Sequence, residues 1–423
     1  MKRVLWICNI MLPAIAKVKN LAYSNREGWL SGIFGQMAGG KSEAGREVIL
    51  GVCYPVNQKD EEERLAVEGI SCYGFCEDLQ RPEQYAPDME RRFSEIFADF
   101  CPDIIHIFGT EFPHALAAAR AFGKPQGTLV GIQGLCNEIA KVYMAGLPEA
   151  VCRSRTFRDM VRKDSLIQQQ EKFVRRGEHE IETLRLSGHI TGRTRFDREG
   201  SLKWHPDAGY HQMNETMRSC FYTGEWQQES CEKHRIFLGQ GDYPLKGFHF
   251  MLEAMALILD KYPDTRLYVA GNSIVSHSTW KEKLKLSAYG KYLLSLMKRH
   301  ELTDKVTILG KLSEEEMKEQ YLKAAVYVCP SVLENSPNTV GEAMLLGVPV
   351  VASETGGIPD MIRDGEDGLL FPVGDTKALA KAIESVFDKE LAGRLSEGAK
   401  KRARVVHDGK RNYRRLLEIY EEI

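Results

Sequence analysis

The sequence predicts a mixed α/β protein built from two doubly wound, Rossmann-like domains that face a central cleft. At 423 residues, the chain is longer than a single hydrophobic core normally supports. Short, continuous apolar runs recur along it, with amphipathic helical patterns between them. Such runs are typical of strands buried on both faces of a parallel sheet. Ligands of these sheets bind outside the carboxyl ends of the strands, so we expect the site in the cleft.

The predicted strands form two groups, separated by a polar stretch at 223–230 that has no clear periodicity. We therefore predict an N-terminal domain over 1–225, a C-terminal domain over 226–405 and a final segment over 406–423. The predicted strands of the first group are 4–8, 48–54, 104–107, 128–132 and 189–191, and those of the second are 235–238, 267–270, 306–309, 326–329, 350–352 and 369–371.

Composition excludes several classes of protein. The net charge of −2 lacks the basic excess of a general nucleic-acid binder. The ten cysteines form neither a C-x-x-C nor a zinc pattern, which favours a reduced, cytoplasmic protein. Residues 1–16 loosely resemble a secretory signal, but Asn9 and Pro13 interrupt the apolar run, so we favour a buried first strand. No stretch approaches the ~18 apolar residues that span a membrane.

The stretch 151–176 is unusually basic, and two interpretations of it remain open. It can form a solvated pair of helices with one core-facing stripe, because basic amphipathic stretches are common on ordinary surfaces. It can also form a basic surface that meets anionic lipid or an anionic acceptor, in peripheral contact with the inner face of the membrane. Its basic residues are Arg153, Arg155, Arg158, Arg162, Lys163, Lys172, Arg175 and Arg176.

The segment that follows the predicted strand 326–329 predicts an anion site. Ser336 is suited to the N-cap of a helix and Pro337 to its first position. The unpaired N–H groups of that first turn, near Asn338 and Thr339, would point into the cleft. Together with the helix dipole, they would suit a diphosphate.

Two glutamates flank this turn. Glu334 lies in the loop before the helix, and Glu342 lies about a turn and a half inside it. Carboxylates accept paired hydrogen bonds from sugar hydroxyls, so the pair is suited to a nucleotide-linked sugar. The alternative for both residues is a solvated helix start.

Glu334 and Glu342 form an E-x7-E pattern, and the surrounding sequence resembles the retaining glycosyltransferases of family 4, which have the GT-B fold. The resemblance includes Val348–Ala352, Thr355–Asp360 and Gly365–Phe371, and it covers 233–400 well but the N-terminal half only loosely. It implies that Glu342 binds the nucleotide ribose and that Glu334 binds the donor sugar and is catalytic. It also implies that Gly356 and Gly357 let the backbone approach the donor, and that Ser336, Asn338 and Thr339 contribute to donor binding.

Lys246 lies in the glycine-containing loop 239–247. We predict that it is catalytic, because its cation would neutralise charge that develops on the leaving diphosphate. The alternative is an exposed lysine at a helix start. The family carries an arginine earlier in this loop, where Gln240 stands here as a donor-binding candidate. Arg193 or Arg235 could substitute for that arginine.

The N-terminal half resembles the family at fewer positions. Gly28, in the cluster 28–32, corresponds to a glycine-rich loop near the donor phosphates. His106, in 103–111, resembles a histidine motif at a strand end, although it can equally be a core histidine. Gln133 stands where many members have a histidine. A glutamine can hold a sugar hydroxyl but cannot act as a base.

The resemblance implies a retaining hexosyltransferase that uses a nucleotide sugar, UDP-linked, in cell-surface polysaccharide synthesis. The N-terminal domain would bind a glycan or lipid-linked acceptor, and the final helix in 406–423 would return to that domain. The leaving phosphate would take the acceptor proton, and neither a metal nor another cofactor is expected.

Gln240 and Gln133 keep open a non-catalytic, sugar-nucleotide-binding or regulatory protein of the same fold. A sugar-nucleotide epimerase or a phosphorylase is a nearer alternative, although we find no lysine context for pyridoxal phosphate. A nicotinamide-dependent dehydrogenase is excluded because no G-x-G-x-x-G joins the first strand to a helix.

Overall fold

A computed structural model describes residues 1–21, 23, 29–39, 48–56, 64–276 and 279–423. Within these ranges the chain divides into two compact units. The first unit comprises Met1–Ala140, Lys172–Arg218 and His407–Ile423, and the second comprises Lys141–Glu171 and Ser219–Val406. The candidate Gly28 lies outside the described residues.

The first unit contains an eight-stranded sheet in the order β3-β4-β2-β1-β5-β6-β7-β8. All neighbouring strands pair in parallel except β3, which runs antiparallel to β4. The strands are β1 (Lys2–Cys8), β2 (Val48–Val56), β3 (Arg64–Val67), β4 (Ile70–Cys76), β5 (Ile104–Phe108), β6 (Thr128–Gly131), β7 (His189–Gly192) and β8 (Gly209–Gln212).

The central strand β1 is buried on both faces, as the apolar run predicted. Val4 and Trp6 contribute to one hydrophobic layer, and Leu5 and Ile7 contribute to the other. The first described helices are α1 (Pro13–Val18), α2 (Ser31–Gly39), α3 (Asp88–Phe100), α4 (Pro113–Phe122), α5 (Cys136–Val142), α6 (Glu149–Arg153), α7 (Phe157–Arg162), α8 (Leu166–Arg185) and α9 (Arg195–Leu202).

The second unit contains a six-stranded, all-parallel sheet in the order β11-β10-β9-β12-β13-β14. The order reverses between β9 and β12, so the switch point, where ligands of such sheets bind, lies at their carboxyl ends. The strands are β9 (Arg235–Leu238), β10 (Arg266–Ala270), β11 (Val306–Gly310), β12 (Val326–Cys329), β13 (Val350–Ser353) and β14 (Leu369–Phe371).

Helices cover this second sheet, and the chain then ends in a helix of the first unit. The helices are α10 (Phe248–Lys261), α11 (Trp280–Leu284), α12 (Ala288–Arg299), α13 (Glu314–Lys323), α14 (Asn338–Leu346), α15 (Ile358–Met361), α16 (Thr376–Val386), α17 (Lys389–Val406) and α18 (Gly409–Glu422). The prediction of two doubly wound α/β domains is confirmed. No helix in the described part of the chain is both long and apolar enough to span a membrane.

The predicted domain division differs from the structure in the segment 141–171, which we placed in the N-terminal domain. This segment packs with the second unit, where the buried carboxylate of Asp159 accepts the backbone N–H of Ala288 at 3.0 Å. The polar stretch near 223–230 is also anchored there. The buried Trp226 donates its indole N–H to the carbonyl of Ala324 at 2.8 Å, so this unit resumes at Ser219 rather than at 226.

Candidate functional site

Two loops meet at the switch point of the second sheet. One follows β9 and ends at Gly247, and the other follows β12. Gly247 has a φ of +66°, and a Cβ at this position would overlap the carbonyl oxygen of Pro330. The backbone N–H of Val332 also donates to the carbonyl of Leu245 at 2.7 Å. Only glycine permits this close approach, which brings the first loop against the second.

The approach places Lys246 beside Glu334, the two residues predicted to be catalytic. The Nζ of Lys246 lies 2.6 Å from Oε1 of Glu334, which also accepts the hydroxyl of Ser331 at 2.7 Å. Burial alone would lower the pKa of Lys246, but the neighbouring carboxylate more than offsets this and raises the pKa well above its ordinary value. Lys246 is therefore protonated, and both side chains are largely shielded from water.

The loop after β13 packs on the backbone of Glu334. The N–H of Gly357 donates to the carbonyl of Glu334 at 2.9 Å. Gly356 has a φ of +51°, and a Cβ on it would overlap the same carbonyl oxygen. The two predicted donor-site glycines therefore also hold Glu334 in place, a role that the sequence did not reveal.

The helix α14 begins one residue later than predicted. Pro337 is the N-cap, with φ −68° and ψ 117°, and no side chain caps the helix, so the assignment of Ser336 to the N-cap is wrong. The extended backbone of Pro337 allows its carbonyl to accept the N–H of Val340 at 3.0 Å. The first turn still begins at Asn338 and Thr339, whose N–H groups precede the intrahelical ladder.

Glu342 is buried on α14. The hydroxyl of Tyr321 lies 3.2 Å from Oε2 of Glu342 and 3.0 Å from the carbonyl oxygen of Thr339. The second glutamate of the motif is therefore an oriented side chain rather than the solvated one of the alternative interpretation. Tyr321 was not predicted as part of this site.

The other candidates near Lys246 have separate partners. Gln240 donates its amide to Asp242 at 2.8 Å, and Asp242 in turn accepts the amide of Asn272 at 2.9 Å. Arg235 opens β9 at the amino end of the sheet, where it pairs with Glu232. The suggestion that Arg235 replaces the family's arginine is therefore wrong, because it lies at the opposite end of its strand.

The first unit has a pocket of its own, at the carboxyl ends of β5, β6 and β7. It encloses about 440 Å³, including space open to solvent. The three candidates of the N-terminal half, His106, Gln133 and Arg193, all line it.

Arg193 is held by neighbours within this pocket. Its guanidinium forms an ion pair with Glu215 and donates from Nη2 to Oε1 of Gln133 at 3.1 Å and to the carbonyl of Ile132 at 3.3 Å. All of these partners belong to the first unit, as Arg193 itself does. Glu215 was missed because it lies in an irregular segment that carries no motif.

His106 is both a core residue and a pocket residue. Burial lowers its pKa to about 3, so the imidazole is neutral. Its Nδ1 lies 2.8 Å from the hydroxyl of Tyr420 on α18, and that hydroxyl accepts the indole N–H of Trp6 at 2.7 Å. The sequence indicated Tyr420 only as one member of an amphipathic face. Within the described residues, no group of three or more histidine, cysteine or acidic side chains is arranged to hold a metal ion.

Comparison with solved structures first identifies the fold. Sucrose-phosphate synthase from Thermosynechococcus elongatus superposes with a TM-score of 0.72 at 18% identity, covering 100% of this chain and 99% of that one. Anabaena HepE in complex with UDP and glucose superposes with a TM-score of 0.65 at 13% identity, covering 100% of both. WaaG, a glycosyltransferase involved in lipopolysaccharide biosynthesis, gives a TM-score of 0.65 at 13% identity, over 98% of this chain and 99% of that one. The chain has the two-domain α/β fold of the GT-B glycosyltransferases.

The sequence of the second unit resembles a known family. Residues 226–404 match the model of the family described as glycosyl transferases group 1. A phosphatidyl-myo-inositol mannosyltransferase of Mycobacterium leprae is 30% identical over 157 residues, 37% of either chain. The putative glycosyltransferase EpsD of Bacillus subtilis is 32% identical over 156 residues, 36% of either chain. The match thus spans little more than a third of the length of these curated relatives.

Proposed function

We propose that this protein is a retaining glycosyltransferase that moves a hexose from a nucleotide sugar, UDP-linked, to a glycan or lipid-linked acceptor in cell-surface polysaccharide synthesis. The observation that carries the proposal is the shielded Lys246–Glu334 ion pair at the switch point of the second sheet. The family match over 226–404 supports the transferase class. The complex of HepE with UDP-glucose supports the choice of donor.

In this proposal, the donor diphosphate binds at the first turn of α14. The N–H groups of Asn338 and Thr339 and the positive end of the helix dipole favour an anion there. Lys246 adds a full positive charge to the same site. Glu334 accepts hydrogen bonds from the sugar hydroxyls, and Glu342, oriented by Tyr321, accepts them from the ribose.

The transfer needs no strong protein base. The acceptor oxygen attacks the anomeric carbon, the bond from that carbon to the diphosphate breaks, and the acceptor proton passes to the leaving phosphate oxygen on the same face. Lys246 offsets the negative charge that builds on the diphosphate. The protein mainly positions the two substrates, and we propose that it requires neither a metal nor another cofactor.

The experiment is a donor panel of UDP-glucose, UDP-galactose, UDP-N-acetylglucosamine and GDP-mannose, with nucleoside diphosphate release as the readout. We expect release from one donor and a loss of about 10²-fold in kcat for Glu334→Gln. Glu354→Gln is the matched control, because Glu354 is an exposed glutamate just after β13. The anomeric configuration of the product, read by NMR, tests retention.

Two outcomes would overturn parts of this proposal, and a third would support the alternative. An inverted product would overturn retention, and turnover that survives Glu334→Gln would overturn the assignment of the site. Saturable donor binding without turnover on any acceptor would support the non-catalytic alternative. That alternative is favoured by Gln240, whose amide is held by Asp242 where the family has a cation.

We also propose that the protein is cytoplasmic and contacts the inner face of the membrane through part of the basic stretch. The helix α7 exposes three apolar side chains, Phe157 (61%), Met160 (60%) and Val161 (66%), beside exposed basic residues at 155, 162 and 163. Apolar side chains ringed by cations suit an anionic lipid surface. The proposed membrane-contacting segment is shorter than the predicted stretch 151–176. Its last residue, Arg176, is excluded because it donates to the carbonyl of Glu111 in the first unit.

Co-sedimentation with phosphatidylglycerol vesicles tests this contact. The triple variant Phe157→Ser, Met160→Ser and Val161→Ser should abolish binding, because it removes the three exposed apolar side chains and keeps the basic residues beside them. The matched control is Val405→Ser, because Val405 is also exposed (55%) in the second unit but lies on α17. Binding that survives the triple variant, or that is equal on vesicles of neutral phosphatidylcholine, would contradict the proposal.

A further inference from the structure

The pocket of the first unit holds two buried nitrogen atoms that have no hydrogen-bond partner among the described residues. They are Nε of Arg193 and Nε2 of His106. The Arg193 side chain is only 9% exposed, and His106 is fully buried. The hydroxyls of Thr191 and Thr216, which also line the pocket, have no partner among the described residues either. Buried polar atoms are normally paired, so the two orphan nitrogens indicate a ligand that pairs with both.

Both orphan nitrogens are hydrogen-bond donors. The hydroxyl of Tyr420 accepts from Trp6, so its single hydrogen is available to Nδ1 of His106. A neutral imidazole that accepts at Nδ1 carries its proton on Nε2. This nitrogen lies beside Gly131, where the absence of a side chain leaves room for a ligand atom. The Nε of Arg193 carries a hydrogen in every state of the guanidinium.

The pocket is nevertheless electrically balanced. Among its described lining residues the charged ones are Arg193 and Glu215, and they form an ion pair. A phosphate or carboxylate entering the pocket would therefore meet the carboxylate of Glu215 as well as the guanidinium of Arg193. A group that accepts hydrogen bonds without bringing a charge avoids this repulsion.

The lining also includes the apolar side chains of Trp29, Ile33, Phe108 and Met213, beside the polar side chains of Gln133 and Asn214. A sugar or cyclitol ring has an apolar face and a rim of hydroxyl oxygens that can accept from Nε2 and Nε. We infer that this pocket binds a neutral, hydroxyl-bearing ring and discriminates against its phosphorylated or carboxylated forms. The inference rests on the proposed function in that this ring is the acceptor.

A preference for neutral rings would distinguish this chain from some of its relatives. D-inositol 3-phosphate glycosyltransferases, such as that of Streptomyces bingchenggensis at 30% identity over 196 residues, are named for a phosphorylated substrate. Here the balancing carboxylate of Glu215 is the feature that would exclude such a substrate.

The experiment measures binding of matched ring pairs to the full chain by saturation-transfer NMR titration. The pairs are myo-inositol against myo-inositol 3-phosphate, and methyl α-glucopyranoside against its 6-phosphate. We expect at least one neutral ring to bind about tenfold more tightly than its phosphate. Glu215→Gln should move that preference by about tenfold toward the phosphate, because it leaves the charge of Arg193 unbalanced.

A second variant guards against a folding failure of Glu215→Gln. Asn214→Lys adds a cation at the partly exposed rim and should shift the preference in the same direction. Glu95→Gln is the control, since Glu95 forms an exposed ion pair with Arg91 on α3. It should leave the preference unchanged.

The phosphate binding as tightly as the neutral ring, no saturable binding of any ring, or a preference unmoved by both pocket variants would each overturn the inference. Failure of the proposed function looks different. It would appear as absent sugar-nucleotide turnover and binding in the donor panel, while the neutral ring still binds the pocket.

Discussion

The hydroxyl of Tyr420 lies at the centre of a buried hydrogen-bonded chain, and its removal tests how α18 supports the pocket. Tyr420→Phe keeps the ring and so leaves no large cavity. It deprives two fully buried groups, the indole N–H of Trp6 and Nδ1 of His106, of the partner they share. Each unsatisfied buried polar group costs about 1–3 kcal/mol, so we expect a loss of about 3 kcal/mol in the free energy of unfolding of the first unit.

Urea denaturation at neutral pH, followed by tryptophan fluorescence and circular dichroism, measures this loss. Tyr413→Phe is the matched control, since Tyr413 lies on the same helix but is only partly buried, and we expect it to change stability by less than about 0.5 kcal/mol. In activity assays, Tyr420→Phe should raise KM for the acceptor more than it lowers kcat, because His106 loses the contact that sets its tautomer. A destabilisation below about 1 kcal/mol would refute the reasoning.

Three further predictions concern the second unit. Lys246→Met and Glu334→Gln should each lower the free energy of unfolding of this unit by about 3 kcal/mol. In a double-mutant cycle measured by urea denaturation, the double variant should lose clearly less stability than the sum of the two single variants, and additive losses would mean that the pair is not coupled. Gly247→Ala should cost more than about 2 kcal/mol in thermal unfolding, because its Cβ would meet Pro330 at a positive φ, and unchanged stability would contradict the packing. Burial lowers the pKa of His249 from 6.5 to about 4, so the unfolded chain binds more protons between these values and stability falls as pH falls through this window. About 2 kcal/mol of the free energy of unfolding should be lost between pH 7 and about pH 5. His249→Phe should reduce the slope of stability against pH, and an unchanged slope would contradict this prediction.

The central strands of both sheets could be predicted from sequence because they are buried on both faces and read as continuous apolar runs. The strands that were missed lie toward the sheet edges and carry polar residues or glycine. The last strand, β8, reads Gly-Tyr-His-Gln, and β3 begins with an exposed arginine. Their strand character comes from pairing with a neighbour, which a local pattern does not contain.

The candidate site shows the same division. Glu334 and Lys246 were recognisable because a local motif surrounds each of them, and the structure places them in contact. Glu215 and Tyr420 lie in no such motif, and only the folded structure pairs them with partners 22 and 314 positions away along the chain. Asp159 is an N3 residue in a capping box, which is typical of a surface helix, but its contact with Ala288 moves the whole segment 141–171 to the second unit.

The hydrophobic layer around Trp6 includes Leu416, Ile419 and Tyr420 of α18. A growing polypeptide emerges from the ribosome amino end first. More than 400 further residues must therefore be synthesised after β1 before α18 can pack on this hydrophobic layer. The second unit is synthesised within that interval. Truncation before residue 409 should therefore expose the apolar side chains around Trp6 to solvent. We expect such a truncated chain to aggregate.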